Sequence, residues 1–494
     1  VKTAKFKEAY QSSFLFGFIE KFSGLAQNNI IFRQREYFRG RKYEYPEILE
    51  NSRVFRPGWN MVEKILPKKG GSFFSSLALA LFFLIFLFIP IKSWLKNTYP
   101  VEDLYTFIVP VALIVIAVLM FLRGRAKKSE SINLTLADLG VLFLIFSLII
   151  SSIMSLLAYG QVKNIYYEGF IWLSYFAIFY IGRLIFIAKK ALIVFLTFNL
   201  GVAFVLSVIG VGQYFWGVAT PQWIEGYESI GTRVFSTLDN PIIFSGYINI
   251  FFFIALGVFF GIKKARYRIL MTPLFIVLFT ALVLTFSRGG WIGFIVGIIL
   301  FFFIYNPKYI LGLVSVSLLS IFLLPREYFY RFLAIFDSRY SDISAVSGRI
   351  WTLNNVVHIL PQHLLFGVGP GMYGGEVAFK TSPSIVYMEG IQGGAVPMQN
   401  TDNQFLQVLI QQGIVGILVF LFFIGVSIYI GLIIYGRLKD RFLKMLSLGI
   451  TSALAVFFIQ GLFTDILQFP QMSLIMFGFL GILLSLPKIR KKSY

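Results

Sequence analysis

Apolar runs of about twenty residues alternate with short polar connectors along this chain, the spacing expected of helices that cross a bilayer. The runs fall near residues 73–91, 104–122, 136–158, 169–187, 191–216, 242–262, 269–286, 291–305, 309–324, 405–435, 442–463 and 472–486. The seventh and eighth together exceed one crossing, and Ser287, Arg288, Gly289 and Gly290 between them form a turn signal that predicts a hairpin. Asn306 and Pro307 part the eighth from the ninth. The pattern predicts an all-α integral membrane protein with about twelve transmembrane helices.

Two long polar stretches break the alternation and set the domain organisation. Residues 1–70 form a basic tail, 71–325 carry spans one to nine, 326–403 form one large loop, and 404–494 carry the last three spans and a basic end. Loops of that length are functional or disordered. This one holds Tyr328, Tyr330, Trp351 and Tyr373, which can bury surface. It also spaces Ile350, Leu353, Val357 and Leu360 at helical intervals, and continues into a glycine-rich loop, PQHLLFGVGPGMYGG. The expectation is a folded platform lying on the membrane.

Composition agrees: 57% of the 494 residues are hydrophobic and 14% charged. There is no cysteine, which excludes disulfides and thiolate metal sites. A net charge of +21 would suggest nucleic acid in a soluble protein, but here its placement is topological. With the N-terminal tail inside, 34 of the 44 Lys and Arg fall on the cytoplasmic side: in the tail, around 123–128, 183–190 and 263–268, at Lys308, over 437–444 and at the C-terminal end. Both termini are therefore expected in the cytoplasm and the large loop outside, in a multi-pass protein of the cytoplasmic membrane with no nucleic-acid partner. The tail lacks an apolar core of signal-peptide form, so a cleaved leader is not expected. Its fourteen Lys and Arg would instead lie against anionic membrane lipid, at about 1 kcal/mol per charge.

The outer segments carry 13 of the 23 Asp and Glu, and three of their arginines, Arg233, Arg288 and Arg349, keep company with Gly or Ser rather than with other basic residues. Each could simply snorkel to water from a helix end. Together they suit a shared anionic ligand, because a guanidinium fork grips phosphate oxygens in pairs and stays charged. Small neighbours let phosphate reach backbone N–H groups as well. A pyrophosphate at the outer surface is the natural candidate.

Four stretches carry a specific resemblance: GTRVFSTLDNPIIFSGY (231–247), TFSRGGWIG (285–293), SGRIWTLNNVVHILPQHLLFGVGPGMY (347–373) and DNQFLQVLIQQGIVGIL (402–418). In this order the sequence resembles the O-antigen ligase and polymerase family, GT-C type membrane glycosyltransferases, over roughly residues 73–486. The resemblance implies transfer of a glycan from undecaprenyl pyrophosphate to a hydroxyl on a glycan, lipid or protein acceptor, with inversion and without metal or cofactor. It implies that Arg233, Arg288 and Arg349 bind the pyrophosphate. Arg288 also serves catalysis by stabilising the leaving group. Where ligases of the family carry a histidine before the fourth motif's Asn, this chain has Asp402. Asp402 is the candidate acceptor-activating residue, or else a cap for the following helix.

His358 and His363 lie in the large loop, where a lone histidine is more often packed or solvent-facing than catalytic. Asp239 is placed to hold Arg233, and Asp465 to cap a helix end. Two other functions fit a polytopic chain. A flippase or transporter of lipid-linked saccharides would place charges deep within spans, and none is found at an expected midplane. A peptidoglycan-type polymerase would share an outer-loop Asp, but the arginine motifs resemble the O-antigen family more.

Overall fold

A computed structural model describes residues 71–98, 109–118, 135–160, 162–186, 188–218, 233–238, 240–310, 349–374, 377–378 and 401–489. Apart from Gly71, they belong to one compact unit that spans 72–123 and 135–494. The helices are α1 (Gly71–Thr98), α2 (Val109–Val118), α3 (Leu136–Tyr159), α4 (Val162–Ile185), α5 (Lys189–Phe215), α6 (Pro241–Gly261), α7 (Ala265–Leu270) and α8 (Thr272–Leu284). After them come α9 (Arg288–Tyr305), α10 (Arg349–Ile359), α11 (Gln404–Arg437), α12 (Arg441–Gln460) and α13 (Pro470–Ser485).

Among the described residues nine helices are long and apolar enough to cross a membrane, with α7 and α8 counted as one. They are the third to eighth and the last three of the expected spans. Shorter apolar stretches, Leu77–Pro90 within α1 and Val109–Val118, stand at the first two. Most of the expected ninth span, from residue 311 on, lies outside the described residues, as does the basic tail. The hairpin is present: α8 ends at Leu284, Phe286 turns the chain with φ +50°, and α9 begins at Arg288. The fourth span begins at Val162, about two turns before its apolar run, because the polar Asn164 and Glu168 are buried there against other elements.

Helices α6, α12 and α13 are buried along most of their length, and the others surround them. The main contacts join α6 to α12, α13 to α4, α11 to α3 and α12, α9 to α12, and α5 to α8. Where lipid replaces water, helices associate through close backbone approach at small residues. At the α6–α12 contact a Cβ on Gly257 would lie 2.6 Å from the Met445 carbonyl oxygen, and one on Gly449 would lie 2.5 Å from that of Phe253. On α13 a Cβ at Gly481 would lie 2.1 Å from the Phe179 carbonyl oxygen of α4. Buried hydroxyls such as Ser427 and Thr451 return a hydrogen bond to their own helix, at 2.7 Å each.

Two ion pairs mark one end of the bundle. Arg183 of α4 pairs with Asp138 of α3 in a fully buried contact, and Lys189 reaches Asp440 at 2.8 Å before α12. The opposite end carries the arginine motifs.

Candidate functional site at the arginine end

Arg233 and Arg288 stand on neighbouring turns. The last carbonyls of a helix have no partner within it, and those of α8 are taken by the 233–238 segment. Arg233 Nε donates to the Thr285 carbonyl at 3.1 Å, and the Val234 N–H donates to that of Leu284 at 3.2 Å. A guanidinium here also meets the negative end of the α8 dipole. Thr285 is three residues before Arg288, so the fold itself ties the first two arginine motifs together.

The segment is held from below as well. Gln213 of α5 accepts from the Ser236 N–H at 2.7 Å and donates to the Ser236 carbonyl at 2.9 Å. Thr237 donates to the Pro90 carbonyl of α1 at 2.7 Å, and Asn240 caps α6 by accepting from the Ile242 N–H at 2.7 Å.

Arg288 is the first residue of α9 and is half-buried. Ser287 caps the helix by accepting from the Gly290 N–H at 3.3 Å. Asn249 of α6 donates to the Gly290 carbonyl at 3.0 Å. Gly289 packs against Phe463, where a Cβ would come within 2.6 Å of the ring's own Cβ. The Arg288 turn is thereby seated on the connector from α12 to α13.

That connector also holds the Asp402 turn. The Gln404 N–H donates to the Gly461 carbonyl at 2.7 Å, while its side-chain oxygen accepts from the Leu467 N–H at 2.7 Å. Asn403 donates to the Leu462 carbonyl at 3.2 Å. The cap of α11 is Asn403, which accepts from Phe405 and Leu406 at 2.9 and 3.1 Å. Asp402 is therefore not the cap that its position in the sequence allowed. It precedes the cap with φ +49°, a left-handed conformation rare for non-glycine residues, and is half-buried.

Asp465 lies in the same connector and is 1% exposed. It opens the short 3₁₀ turn Ile466–Gln468 without a side-chain capping bond, so the capping role expected for it is absent too. Its Oδ1 accepts from Thr464 Oγ1 at 3.4 Å, and its Oδ2 has no hydrogen-bond partner among the described residues. Burial, and next the negative charge of Asp402, push its carboxyl up to about 7, against smaller lowering contributions from Thr464 and the backbone. The connector is anchored below by Tyr175, which donates to the Leu467 carbonyl at 2.9 Å, and by Gln468, which donates to Glu168 at 3.3 Å. Trp172 donates to the same Glu168 oxygen at 3.2 Å.

The platform packs on the upper part of α11. Helix α10 forms at Arg349 as the spacing predicted, but its buried face is Trp351, Thr352, Asn355, Val356 and Ile359. Ile350 and Val357 of the expected apolar stripe are 39% and 62% exposed. Val356 and Ile359 join Val368, Met372, Tyr373 and Ile410 in a second small core. Trp351 and Tyr373 are buried as expected, whereas Tyr328 and Tyr330 lie outside the described residues.

The glycine loop enters a break in α11. Gly413 has φ +67° and ψ −165° within that helix, a combination open essentially to glycine alone. The backbone groups freed by the break bond to the loop: Val368 N–H to Ile410 O at 2.9 Å, Gly369 N–H to Gln411 O at 3.0 Å, Ile414 N–H to Leu364 O at 2.9 Å and Val415 N–H to Leu365 O at 3.2 Å. Gln407 and Gln411 donate to the Tyr373 carbonyl at 2.6 and 3.2 Å, and Asn164 to that of Gly371 at 2.7 Å.

The structure thus joins the Arg233 and Arg288 turns, sets Asp402 near enough to Asp465 to act on its charge, and packs Gly289 of the Arg288 turn on the connector that carries Asp465. It packs the second half of α10, through Val356 and Ile359, near Ile410 of α11, but the Arg349 side chain and Asp239 lie outside the described residues. His363 contacts Tyr159 OH at 2.8 Å and His358 is exposed. Glu168 and Asp465 were the functional candidates least visible beforehand, since their burial comes from elements remote in sequence. A signal did exist for the amides: Gln404, Gln407 and Gln411 recur at helical spacing on an otherwise apolar span.

Fold and site together define a multi-pass helical membrane protein with an arginine- and carboxylate-bearing end. Residues 273–421 match the family model described as O-antigen ligase, and over that stretch the resemblance to the O-antigen ligase family is shown. The match contains Arg288, Arg349 and Asp402, begins after Arg233 and ends before Asp465. No curated protein matches the chain.

Proposed function

We propose that this chain transfers a glycan from undecaprenyl pyrophosphate to an acceptor hydroxyl, at the outer face of the cytoplasmic membrane. The observation that carries the reading is the bond from Arg233 to the Thr285 carbonyl, which seats one arginine beside the turn that presents Arg288. Two guanidinium groups on adjoining rigid turns suit a ligand with two linked phosphates, and Arg349 at the head of α10 is the third member of the clamp. The family match over Arg288, Arg349 and Asp402 supports the same reaction class.

In this reaction the acceptor oxygen attacks the anomeric carbon and the bond to the pyrophosphate oxygen breaks. The arginines stabilise the charge that grows on the departing lipid pyrophosphate, an electrostatic contribution that is usually the largest in catalysis. Asp402 stands where ligases of the family carry histidine, and orients the acceptor beside that clamp. The count of basic residues supports placing this end outside, with twelve spans and both termini in the cytoplasm. Membrane lipid surrounds the exposed apolar faces of α3, α8 and α9.

The test is purified protein in lipid vesicles, supplied with radiolabelled undecaprenyl-pyrophosphate-linked glycan and, as acceptor, either more of that lipid or lipid A core. Label appearing on the acceptor with release of the lipid pyrophosphate is the expected result. Movement of the intact donor across the bilayer with no transfer would make the chain a flippase instead.

A further inference from the structure

We propose that Asp465 takes the proton from the acceptor hydroxyl during glycan transfer, with Asp402 as its charged neighbour. The inference rests on the transferase reading and adds a catalytic residue to it. Its first support is an unpartnered oxygen. Asp465 is 1% exposed, and among the described residues its Oδ2 has no hydrogen-bond partner and its Oδ1 has only the 3.4 Å contact from Thr464. Burying a carboxyl oxygen without a donor is costly, and such groups in folded proteins call for an explanation such as a catalytic role.

The second support is that hydrogen bonds on both sides fix the connector that carries this group. Gln404, Asn403 and Tyr175 bond its backbone at Gly461, Leu467 and Leu462, and Gln468 is bonded to Glu168. The third is location. Asp465 is two residues from Phe463, on which Gly289 of the Arg288 turn packs, and Asp402 is near enough to act on its charge. The charged and titratable groups on the elements that pack here are Asp402 of the α11 turn, Arg288 of α9, and Glu168 and Tyr175 of α4. With its carboxyl up at about 7, Asp465 exchanges a proton near neutral pH, where a general base is most effective.

The step balances without a further reactant. The acceptor oxygen forms the new bond to the anomeric carbon as its proton passes to Asp465 Oδ2, and undecaprenyl pyrophosphate departs with the electron pair of the broken bond. Asp402 makes its neighbour a stronger base by disfavouring a second negative charge nearby.

The experiment uses the full chain in vesicles with the labelled lipid-linked glycan, and compares wild type, Asp465→Asn and Asp402→Asn across pH. General-base assistance is worth about 10²- to 10⁴-fold in rate. Asp465→Asn is expected to lose at least about a hundredfold in turnover while still binding undecaprenyl pyrophosphate. Wild-type turnover should rise with pH to a plateau with its midpoint near 7. Asp402→Asn should move that midpoint to lower pH, whatever it does to the plateau. A smaller loss in folded Asp465→Asn, or an unmoved midpoint in Asp402→Asn, overturns the proposal. The midpoint decides even if Asp465→Asn fails to fold, because Asp402→Asn leaves Asp465 in place. If wild type transfers no glycan, the transferase reading falls and this inference with it. If wild type transfers and Asp465→Asn keeps pace, only this inference falls.

Discussion

Arg288 opens a helix at a turn, and its value to the account lies in the shape of its side chain rather than in its charge. Arg288→Lys keeps the charge but loses the fork, so turnover in the transfer assay should fall nearly as far as in Arg288→Ala. Charged hydrogen bonds contribute about 1.5–3 kcal/mol each, which sets the loss at roughly tenfold to over a hundredfold. Arg233→Lys should behave alike, and wild-type turnover in both would leave them as residues snorkelling to water. Asp465 makes a second prediction, on stability. Below about pH 4 its carboxyl is neutral in folded and unfolded chains alike. As pH rises from there to about 7, the unfolded chain ionises freely while the folded one resists. Folding therefore loses stability across that window, at up to about 1.4 kcal/mol per pH unit. In detergent, Asp465→Asn should unfold at a higher temperature than wild type at pH 8, with the gap closing toward pH 4. An equal gap at both pH values would mean that the carboxyl is not held neutral by the fold.

The break in α11 shows what an element can conceal. The run from Phe405 to Tyr435 reads as one long apolar span, and an isolated glycine inside such a pattern is ordinarily tolerated within an unbroken helix. Yet α11 breaks at Gly413, roughly 14 Å from its start at 1.5 Å per residue, and the 364–369 loop satisfies the freed groups. Irregular backbone within a membrane protein is tolerated where protein buries it, and Gly367, Val368 and Gly369 are all buried. The break was illegible because its partners come from a loop almost fifty residues earlier. The α8–α9 hairpin, by contrast, was legible, since Ser287 to Gly290 supply a cap and small residues at the turn itself. Gly413→Ala would adopt a glycine-only conformation and place its Cβ 2.4 Å from the Leu365 carbonyl group. It should cost at least about 1–3 kcal/mol and lower the unfolding midpoint in detergent, whereas Gly425→Ala, open to space on the same helix, should not. Equal midpoints would show that the loop does not hold the break.

At the scale of the molecule, the sequence revealed the spans and the three arginines because length and isolated charge are local properties. It did not reveal that Arg233 is bonded to the turn of Arg288, or that a carboxyl at 465 is governed by another at 402, because both depend on which connectors meet at one end of the bundle. The proposed orientation rests on the charge count, and the absence of cysteine makes it simple to check. Gln362 is exposed beside the platform and Lys264 is exposed at the basic end. An impermeant thiol reagent should label Gln362→Cys and spare Lys264→Cys in intact cells. The most direct measurement joins that sidedness to the chemistry. Sealed vesicles are supplied from outside with labelled undecaprenyl-pyrophosphate-linked glycan and acceptor, and transfer is counted against the fraction of molecules whose Gln362→Cys is reachable from outside. Transfer in proportion to that fraction is the predicted result. Transfer by the molecules that expose Lys264→Cys instead would contradict the account, because the arginine end would then face away from the glycan it is proposed to move.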